Sequence, residues 1–306
     1  MTKDFSVVIP VYNSANTLVS LFERLKSFFE KSQKTFEVIF VEDGGKDNSW
    51  EVLSELKKSY PELITAIKLD RNFGQHNATL CGFGFAKGKQ IITIDDDLQN
   101  PPEEIAKLID TAEREKSAVT YGIYSKKQHS FSRNVLSKSV KKSSKLLHNG
   151  AENGSSFRLI ERAIVEKILL HQVSFVFIDE IIHWYTDNIS FVIVEHKKRE
   201  YTQSGYNPLR LFLLASNLTY YYTNIPLKIM VYSGFFISFV SFLLAIKFIA
   251  QKLFFDVPLG YTSVIVTILF STSIIVFSLG VIGGYLSRIQ TVQNKKPPFH
   301  IKKVLD

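Results

Sequence analysis

Three consecutive carboxylates follow an apolar, β-branched stretch in "IITIDDDLQNPP", residues 91–102. Neighbouring carboxylates repel one another and are costly to bury unpaired, so the run is either a solvated turn or a cation site. In an extended backbone, Asp95 and Asp97 point to the same side. Mg²⁺ and Mn²⁺ prefer such oxygen ligands and are commonly shared with a substrate diphosphate, whose leaving charge they neutralise. The pattern therefore indicates a metal ion delivered with a nucleotide, although many turns match D-x-D alone.

Segments with strand and helix character alternate through residues 5–124. Apolar, β-branched runs typical of buried parallel strands are followed each time by amphipathic stretches with helical spacing. This alternation predicts a mostly parallel α/β sheet covered by helices on both faces. The predicted strands lie within residues 5–11, 35–45, 64–72, 90–97 and 117–124, and the predicted helices within 14–32, 49–62, 76–88 (with Gly88 as C-cap) and 101–116.

Polar residues follow three of the predicted strands at the point where each strand ends. They are Tyr12 with Asn13, Glu42 with Asp43, and the triplet Asp95–Asp97. Ligands of parallel α/β sheets bind beyond the carboxyl ends of the strands. Convergence from several strand ends therefore indicates one ligand site rather than three separate surface turns.

The composition limits the class of protein. The chain has 306 residues and a formal net charge of +8, which allows one sizeable core and a second region. Its single cysteine, Cys81, cannot form an internal disulfide, which favours a reducing compartment. Cys81 lies among small and apolar residues, so we expect a buried structural thiol rather than a nucleophile. We expect no signal peptide before the first predicted strand.

Two long apolar stretches lie near the C-terminus, at residues 225–249 and 261–286, and the second carries no charge. Each has about the 20 residues that a helix needs to cross a bilayer. Two buried helices of a soluble protein are the alternative, which we disfavour because charge-free runs of this length are rare there. The short connection predicts a hairpin, and the basic flanks place both of its ends in the cytoplasm.

The region between residues 117 and 151 contains no acidic residue. It predicts a basic amphipathic helix near residues 133–148 that lies on an anionic membrane surface, in preference to an ordinary solvated helix. Nucleic acid would suit the charge but does not explain the apolar hairpin, so we expect no nucleic-acid partner. A second interfacial helix, with Tyr220–Tyr222 as an aromatic belt, is expected at residues 207–224.

Several motifs together resemble a known family. "VVIPVYN", "VEDGGKDNS", "RNFGQHNATLCGFGFAKG" and "IDDDLQNPPEE" occur in the order typical of inverting glycosyltransferases with the GT-A (Rossmann-like) fold. Downstream, "NGSSFRLIERAIVEKIL", "EHKKREYTQSGYNPLRL", the apolar pair and "GGYLSRIQTVQNKKPPFHI" resemble the polyprenyl-phosphate glycosyltransferases. That family includes dolichol-phosphate mannosyltransferases and undecaprenyl-phosphate glucosyl- and aminoarabinose transferases. The resemblance covers nearly the whole chain.

The resemblance implies roles for particular residues. A divalent ion, Mg²⁺ or Mn²⁺, would be held by Asp95, Asp97 and Gln99. Basic residues for phosphate would be Arg133 and Arg199, which with Asp95 and Asp97 form the predicted catalytic set. The nucleotide sugar would contact Pro10, Tyr12, Asn13, Asp43, Arg71, Asn72, Gly74, Asp95 and Asp96, with Ser204 and Tyr206 in a loop that closes over it.

The chain also departs from the pattern of that family. Tyr124 stands where an arginine is usual and Ser156 where an aspartate is frequent, and Ser14, Gly205 and Gly284 are further departures. A polyprenyl phosphate is already an anion near neutral pH, so it can attack the anomeric carbon without a general base. The task of the enzyme is then to position and neutralise two phosphate groups.

We therefore expect a multi-pass enzyme of the bacterial inner membrane with both termini in the cytoplasm. It would transfer a sugar, with inversion, from a nucleotide sugar to undecaprenyl phosphate, and the bacterial relatives favour uridine over guanosine. A processive polysaccharide synthase lacks support because Q-x-x-R-W is missing. A catalytically degenerate membrane scaffold and a transferase with another lipid or glycan acceptor stay open, as do the sugar and homo-oligomerisation. The expected regions are a catalytic domain (1–206), the interfacial helix (207–224), the hairpin (225–287) and a basic tail (288–306).

Overall fold

The computed structural model describes residues 3–124, 155–170, 176–196, 260–293 and 297–306, with a few helical residues between 232 and 243. The chain divides into two compact units. The first comprises Met1–Ser204 and Lys295–Asp306, and the second comprises Gly205–Asn294.

The described strands are β1 (Phe5–Val11), β2 (Phe36–Glu42), β3 (Ile64–Leu69), β4 (Gln90–Thr93), β5 (Val119–Tyr124), β6 (Arg158–Glu161), β7 (Ile189–Val194) and β8 (Ile301–Leu305). The described helices are α1 (Leu18–Ser32), α2 (Ser49–Ser59), α3 (Gln75–Phe83), α4 (Ile105–Glu115), α5 (Arg162–Leu169), α6 (Ile178–Tyr185) and α7 (Tyr261–Gln293).

The described strands of the first unit form one mixed sheet in the order β7-β5-β6-β4-β1-β2-β3-β8. The central strands β4, β1, β2 and β3 are parallel, whereas β6 and β8 run antiparallel to their neighbours. β1 and β2 are buried along their whole length, as expected for strands covered on both faces. The predicted α/β sheet is confirmed as a mixed, Rossmann-like sheet with helices.

Helix α1 shows why the alternation in the sequence predicts this packing. Its buried side chains are Leu18, Leu21, Phe22, Leu25 and Phe29, which share one helical face. They join the strand residues of β1 and β2 in one hydrophobic core. Cys81 is buried as expected, and burial raises the pKa of its thiol to about 12.

The predicted end of α3 is wrong, because the helix ends at Phe83 rather than at Gly88. Gly88 instead lies against β1, where its N–H donates a hydrogen bond to Ser6 Oγ at 2.7 Å. A Cβ at Gly88 would lie 2.5 Å from the Ser6 nitrogen, so this close approach requires glycine.

Strands β6, β7 and β8 are absent from the sequence prediction. β8 lies in the predicted basic tail, yet it pairs with the outer edge of β3 and belongs to the first unit. Thr65 Oγ1 donates a hydrogen bond to Asp306 Oδ1 at 2.9 Å, which fixes the end of this strand.

In the second unit, α7 includes residues 261–286, the second predicted membrane span. Within the described part of the chain, no helix is both long and apolar enough to cross a membrane. The predicted helices at 133–148 and 207–224 lie outside the described residues, as does most of the first predicted span.

Candidate active site

The carboxyl ends of β1, β2 and β4 meet at a cavity of about 260 Å³, which we call the donor cavity. The strand ends deliver these side chains together, as the parallel topology predicts. Seven of the residues predicted for the nucleotide line it, together with Val11, Gln75 and Asp97. The seven are Pro10, Tyr12, Asp43, Asn72, Gly74, Asp95 and Asp96.

The three adjacent aspartates have different surroundings. Asp95 accepts hydrogen bonds on both oxygens, from Gln75 Nε2 at 2.6 Å and from Ser156 Oγ at 2.5 Å. Asp96 accepts one from the backbone N–H of Tyr12 at 2.9 Å, which ties it to the end of β1. Burial raises the pKa of Asp96 to about 6, and repulsion from its two neighbours adds to the shift. Asp96 therefore holds the loop after β4 against the end of β1, and its neighbours Asp95 and Asp97 also line the donor cavity.

The turn after β4 is conformationally unusual. Leu98 adopts a positive φ of 60°, which is uncommon for a residue with a branched side chain. The backbone N–H of Gln99 donates to Asp97 Oδ1 at 3.1 Å and closes this turn. Strained turns of this kind cluster at functional sites, where the surrounding structure holds them.

The donor set at this turn fits a hard divalent cation. Asp95 and Asp97 supply carboxylate oxygens, and the neutral donors on Asp95 stabilise its charged form. Among the described residues, no group of three or more His, Cys, Asp or Glu side chains is arranged to hold a metal ion. Two carboxylates suffice where substrate phosphates supply further ligands, as is common for Mg²⁺.

Asp43 holds the loop that connects β3 to α3. The backbone N–H groups of Phe73 and Gly74 donate to its two carboxylate oxygens at 2.7 and 2.8 Å. Burial raises the pKa of Asp43 and these two hydrogen bonds oppose the shift. Gly44 contacts the same loop, since a Cβ there would lie 2.3 Å from the Arg71 carbonyl carbon. Each oxygen of Asp43 keeps a further lone pair for a ligand.

The first residue of this loop is also held by the C-terminal strand. The backbone N–H of Asp70 donates to the His300 carbonyl at 3.0 Å, and the two side chains approach to 3.5 Å. The loop that carries Asn72 and Gly74 is therefore anchored from two sides, by Asp43 and by β8. Sequence reasoning missed this second anchor because His300 is more than 200 residues away along the chain.

Glu42 is a further polar residue at the end of β2. It is 2% exposed, and one of its oxygens accepts a hydrogen bond from the backbone N–H of Gly45. Its other oxygen, Oε2, is buried and has no hydrogen-bond partner among the described residues. Burial raises the pKa of this carboxyl group. The sequence predicts Glu42 as part of the same ligand site as Asp43, but of these two residues Asp43 alone lines the donor cavity.

Not every predicted site residue lines the donor cavity. Asn13 accepts a hydrogen bond from the backbone N–H of Lys46 at 2.7 Å and so joins two loops. The guanidinium of Arg71 lies 5.0 Å from the ring centre of Phe73. Tyr124, which replaces a usual arginine, donates to Asn100 Oδ1 at 3.0 Å. The predicted residues Arg133, Arg199, Ser204 and Tyr206 lie outside the described part of the chain.

The mixed sheet and the carboxylates at its edge define a glycosyltransferase of the GT-A type. Residues 6–169 match Glycosyl transferase family 2, and the chain belongs to this family. A solved structure, glucosyl-3-phosphoglycerate synthase from Mycobacterium tuberculosis in complex with uridine-diphosphate, superimposes with a TM-score of 0.50 at 15% identity. The match covers 71% of this chain and 78% of that chain, and it supports the fold.

Curated relatives match over almost the full length. An undecaprenyl-phosphate 4-deoxy-4-formamido-L-arabinose transferase from Pseudomonas savastanoi pv. phaseolicola is 32% identical, covering 99% of this chain and 91% of that protein. A protein of the same name from Pectobacterium atrosepticum is 33% identical, covering 99% of this chain and 94% of that protein. The chain is therefore similar to these transferases from end to end.

Proposed function

We propose that this glycosyltransferase moves a sugar, with inversion, from a uridine-diphosphate sugar to undecaprenyl phosphate at the cytoplasmic face of a bacterial inner membrane. The observation that carries the proposal is the convergence of Asp43, Asp95 and Asp97 on one cavity in a chain of this family. The names of the full-length relatives supply the acceptor.

The donor cavity suits a nucleoside diphosphate. The remaining lone pairs of Asp43 can accept a hydrogen bond from the imide N–H of uracil, a group that cytosine lacks. Asp95 and Asp97, with Gln99 beside them, would hold Mg²⁺ or Mn²⁺, which when bound neutralises charge on the departing diphosphate. Tyr12 and the anchored loop at Gly74 would then enclose the nucleotide between two strand ends.

The acceptor chemistry agrees with the serine at position 156. A polyprenyl phosphate needs no general base, and Ser156 donates a hydrogen bond to Asp95 instead of placing a further carboxylate beside it. Arg133 and Arg199 would neutralise phosphate, because a guanidinium matches phosphate oxygens bidentately. Arg133→Ala and Arg199→Ala should then impair transfer more than nucleotide binding, even in neutral detergent where no anionic surface remains.

We further propose that residues 225–249 and 261–286 insert into the membrane as a hairpin. This proposal draws on the full sequence, because many apolar side chains of these stretches lie outside the described residues. In α7, the described side chains of Val264, Ile268 and Phe277 are more than half exposed although they are apolar. Strands from before and after the hairpin share one sheet, which supports the proposal that both of its ends lie on the same side of the membrane.

The experiment is a transfer assay with the full chain purified in detergent. Radiolabelled UDP- and GDP-sugars are offered with undecaprenyl phosphate and Mg²⁺, and label in the organic phase is counted. The proposal expects label from a UDP-sugar that depends on the lipid. Label from GDP-sugars alone would show that the donor nucleotide is guanosine diphosphate rather than uridine diphosphate. Replacing the lipid with dolichyl phosphate or a glycan tests other acceptors. No transfer from any donor would favour the membrane scaffold.

A further inference from the structure

A second cavity, of about 230 Å³, adjoins the donor cavity, and we call it the inner cavity. The two share Pro10, Gln75 and Asp95. The inner cavity is slightly smaller than the donor cavity and lies beside Asp95, the proposed metal ligand, so a group attached to the diphosphate could reach it. Its other lining residues are His76, Thr79, Thr93, Ile94, Ser155, Ser156, Arg158 and Asp179.

A buried ion pair forms one wall of the inner cavity. The side chain of Arg158 is 3% exposed and donates through a terminal nitrogen to Asp179 Oδ1. Tyr121 donates its hydroxyl proton to the same oxygen at 2.9 Å. Over the described residues, Oδ2 of Asp179 receives no hydrogen bond. The wall therefore offers a carboxylate oxygen whose charge is already balanced by Arg158.

His76 supplies a donor in the same cavity. The backbone N–H of Ile178 donates to His76 Nδ1 at 3.5 Å, which assigns the ring proton of the neutral form to Nε2. Burial lowers the pKa of His76 to about 4, so the ring is neutral at pH 7. The ring of Phe177 packs against it with centroids 4.6 Å apart and fixes its position.

Three of the four hydroxyl groups that line the cavity donate hydrogen bonds within the protein. Thr79 donates to the Gln75 carbonyl at 2.9 Å and Thr93 to the Ser156 carbonyl at 2.5 Å. Ser156 donates to Asp95. These hydroxyls keep acceptor capacity, but the groups best placed to select a ligand are the Asp179 carboxylate and the His76 N–H.

The charges of the inner cavity argue against an anionic ligand. Arg158 is balanced by Asp179, and Asp95, which is acidic, is the remaining charged residue among the lining residues that the structure describes. A carboxylate buried there would meet no unpaired cation among the described lining residues, and an unpaired buried charge is costly. An uncharged polyhydroxyl group meets an acceptor and a donor instead.

We propose that the inner cavity is the subsite for the sugar of the donor, that this sugar is uncharged, and that Asp179 and His76 determine its specificity. The inference rests on the proposed function, because it takes the donor cavity to bind the nucleotide. Asp179 would accept a hydrogen bond from a sugar hydroxyl, and His76 would donate one to a sugar oxygen.

The test compares binding of UDP with binding of UDP-sugars to the full chain by calorimetry in detergent with Mg²⁺. The probes are UDP-glucose, UDP-galactose, UDP-xylose and UDP-glucuronic acid. At least one uncharged UDP-sugar should bind about tenfold more tightly than UDP, which corresponds to one or two net hydrogen bonds. UDP-glucuronic acid should show no such gain.

Asp179→Asn and His76→Gln should each remove most of the gain while leaving UDP affinity within about twofold, since neither residue lines the donor cavity. Glu180→Gln, at the next position of α6, is the matched control and should keep the gain. If Asp179→Asn does not fold, His76→Gln and the comparison of uncharged with anionic sugars decide.

A gain shared by UDP-glucuronic acid, a gain that survives both substitutions, or no gain with any uncharged sugar would overturn the inference. Failure of the proposed function would give a different result, because neither UDP nor GDP would then bind the unsubstituted protein.

Discussion

Replacing Asp43 tests whether the loop between β3 and α3 is held ready for the nucleotide. The carboxylate accepts hydrogen bonds from the backbone N–H groups of Phe73 and Gly74 at 2.7 and 2.8 Å. Asp43→Ala removes both, and Asp43→Asn keeps one acceptor oxygen but places an N–H₂ group against a backbone donor. The alanine variant should therefore be the more severe of the two.

The expected loss of UDP binding free energy can be estimated from these two hydrogen bonds. A hydrogen bond to a charged group contributes about 1.5–3 kcal/mol, and part of this is offset because the variants no longer bury a carboxylate that burial destabilises. The net loss should be about 2–3 kcal/mol for alanine and about half of that for asparagine. It includes the contact to uracil that we propose for the same carboxylate. UDP binding should weaken by roughly 30- to 150-fold in Asp43→Ala.

Calorimetry of UDP binding in Mg²⁺ measures this loss, and Asp110→Asn is the control because Asp110 is an exposed carboxylate of α4. Hydrogen exchange at the amides of Phe73 and Gly74 should accelerate in Asp43→Ala without nucleotide. Unchanged UDP affinity in Asp43→Ala, with the fold intact by circular dichroism, would refute the assignment of Asp43 as anchor and nucleotide ligand.

Three further predictions concern the described residues. Deleting residues 297–306 removes β8 and the contact to Asp70, so UDP binding should weaken by about tenfold in a folded protein; unchanged affinity would exclude this anchor. Burial lowers the pKa of His76 in the folded protein to about 4, below the ordinary value of 6.5. The contribution of the neutral ring to stability is therefore complete above pH 6.5 and is lost towards pH 4. The melting temperature should fall over that range by more in the unsubstituted protein than in His76→Gln, and equal slopes would contradict the prediction. Cys81 should resist thiol reagents until the protein unfolds, because burial raises its pKa to about 12, and rapid labelling of the native chain would disprove this.

The sequence predicts the part of the fold that depends on local pattern. The sequence predicts β1, β2 and the buried face of α1 because the spacing of apolar residues there matches the residues that are buried in the structure. The gathering of Tyr12, Asp43 and Asp95 follows from parallel topology alone.

The remaining features depend on contacts that no local pattern encodes. β6 has four residues, and β8 carries two lysines because an edge strand tolerates charge. The end of α3 was mispredicted because Gly88 does not cap the helix. It is instead required where the chain passes close to Ser6 of β1. The partners of Asp43 and Asp179 lie on other elements, so neither the loop anchor nor the inner cavity can be read from spacing.

The most direct test of the central claim is lipid-linked transfer with and without the carboxylate at position 97. Label from a UDP-sugar is followed into undecaprenyl phosphate for the unsubstituted chain, for Asp97→Asn and for the control Asp110→Asn, each with Mg²⁺ and with excess EDTA. We expect transfer by the unsubstituted chain and the control in Mg²⁺, its loss in EDTA with recovery on adding Mg²⁺ or Mn²⁺, and a loss by orders of magnitude in folded Asp97→Asn. Full transfer in excess EDTA, or by Asp97→Asn, would contradict the account.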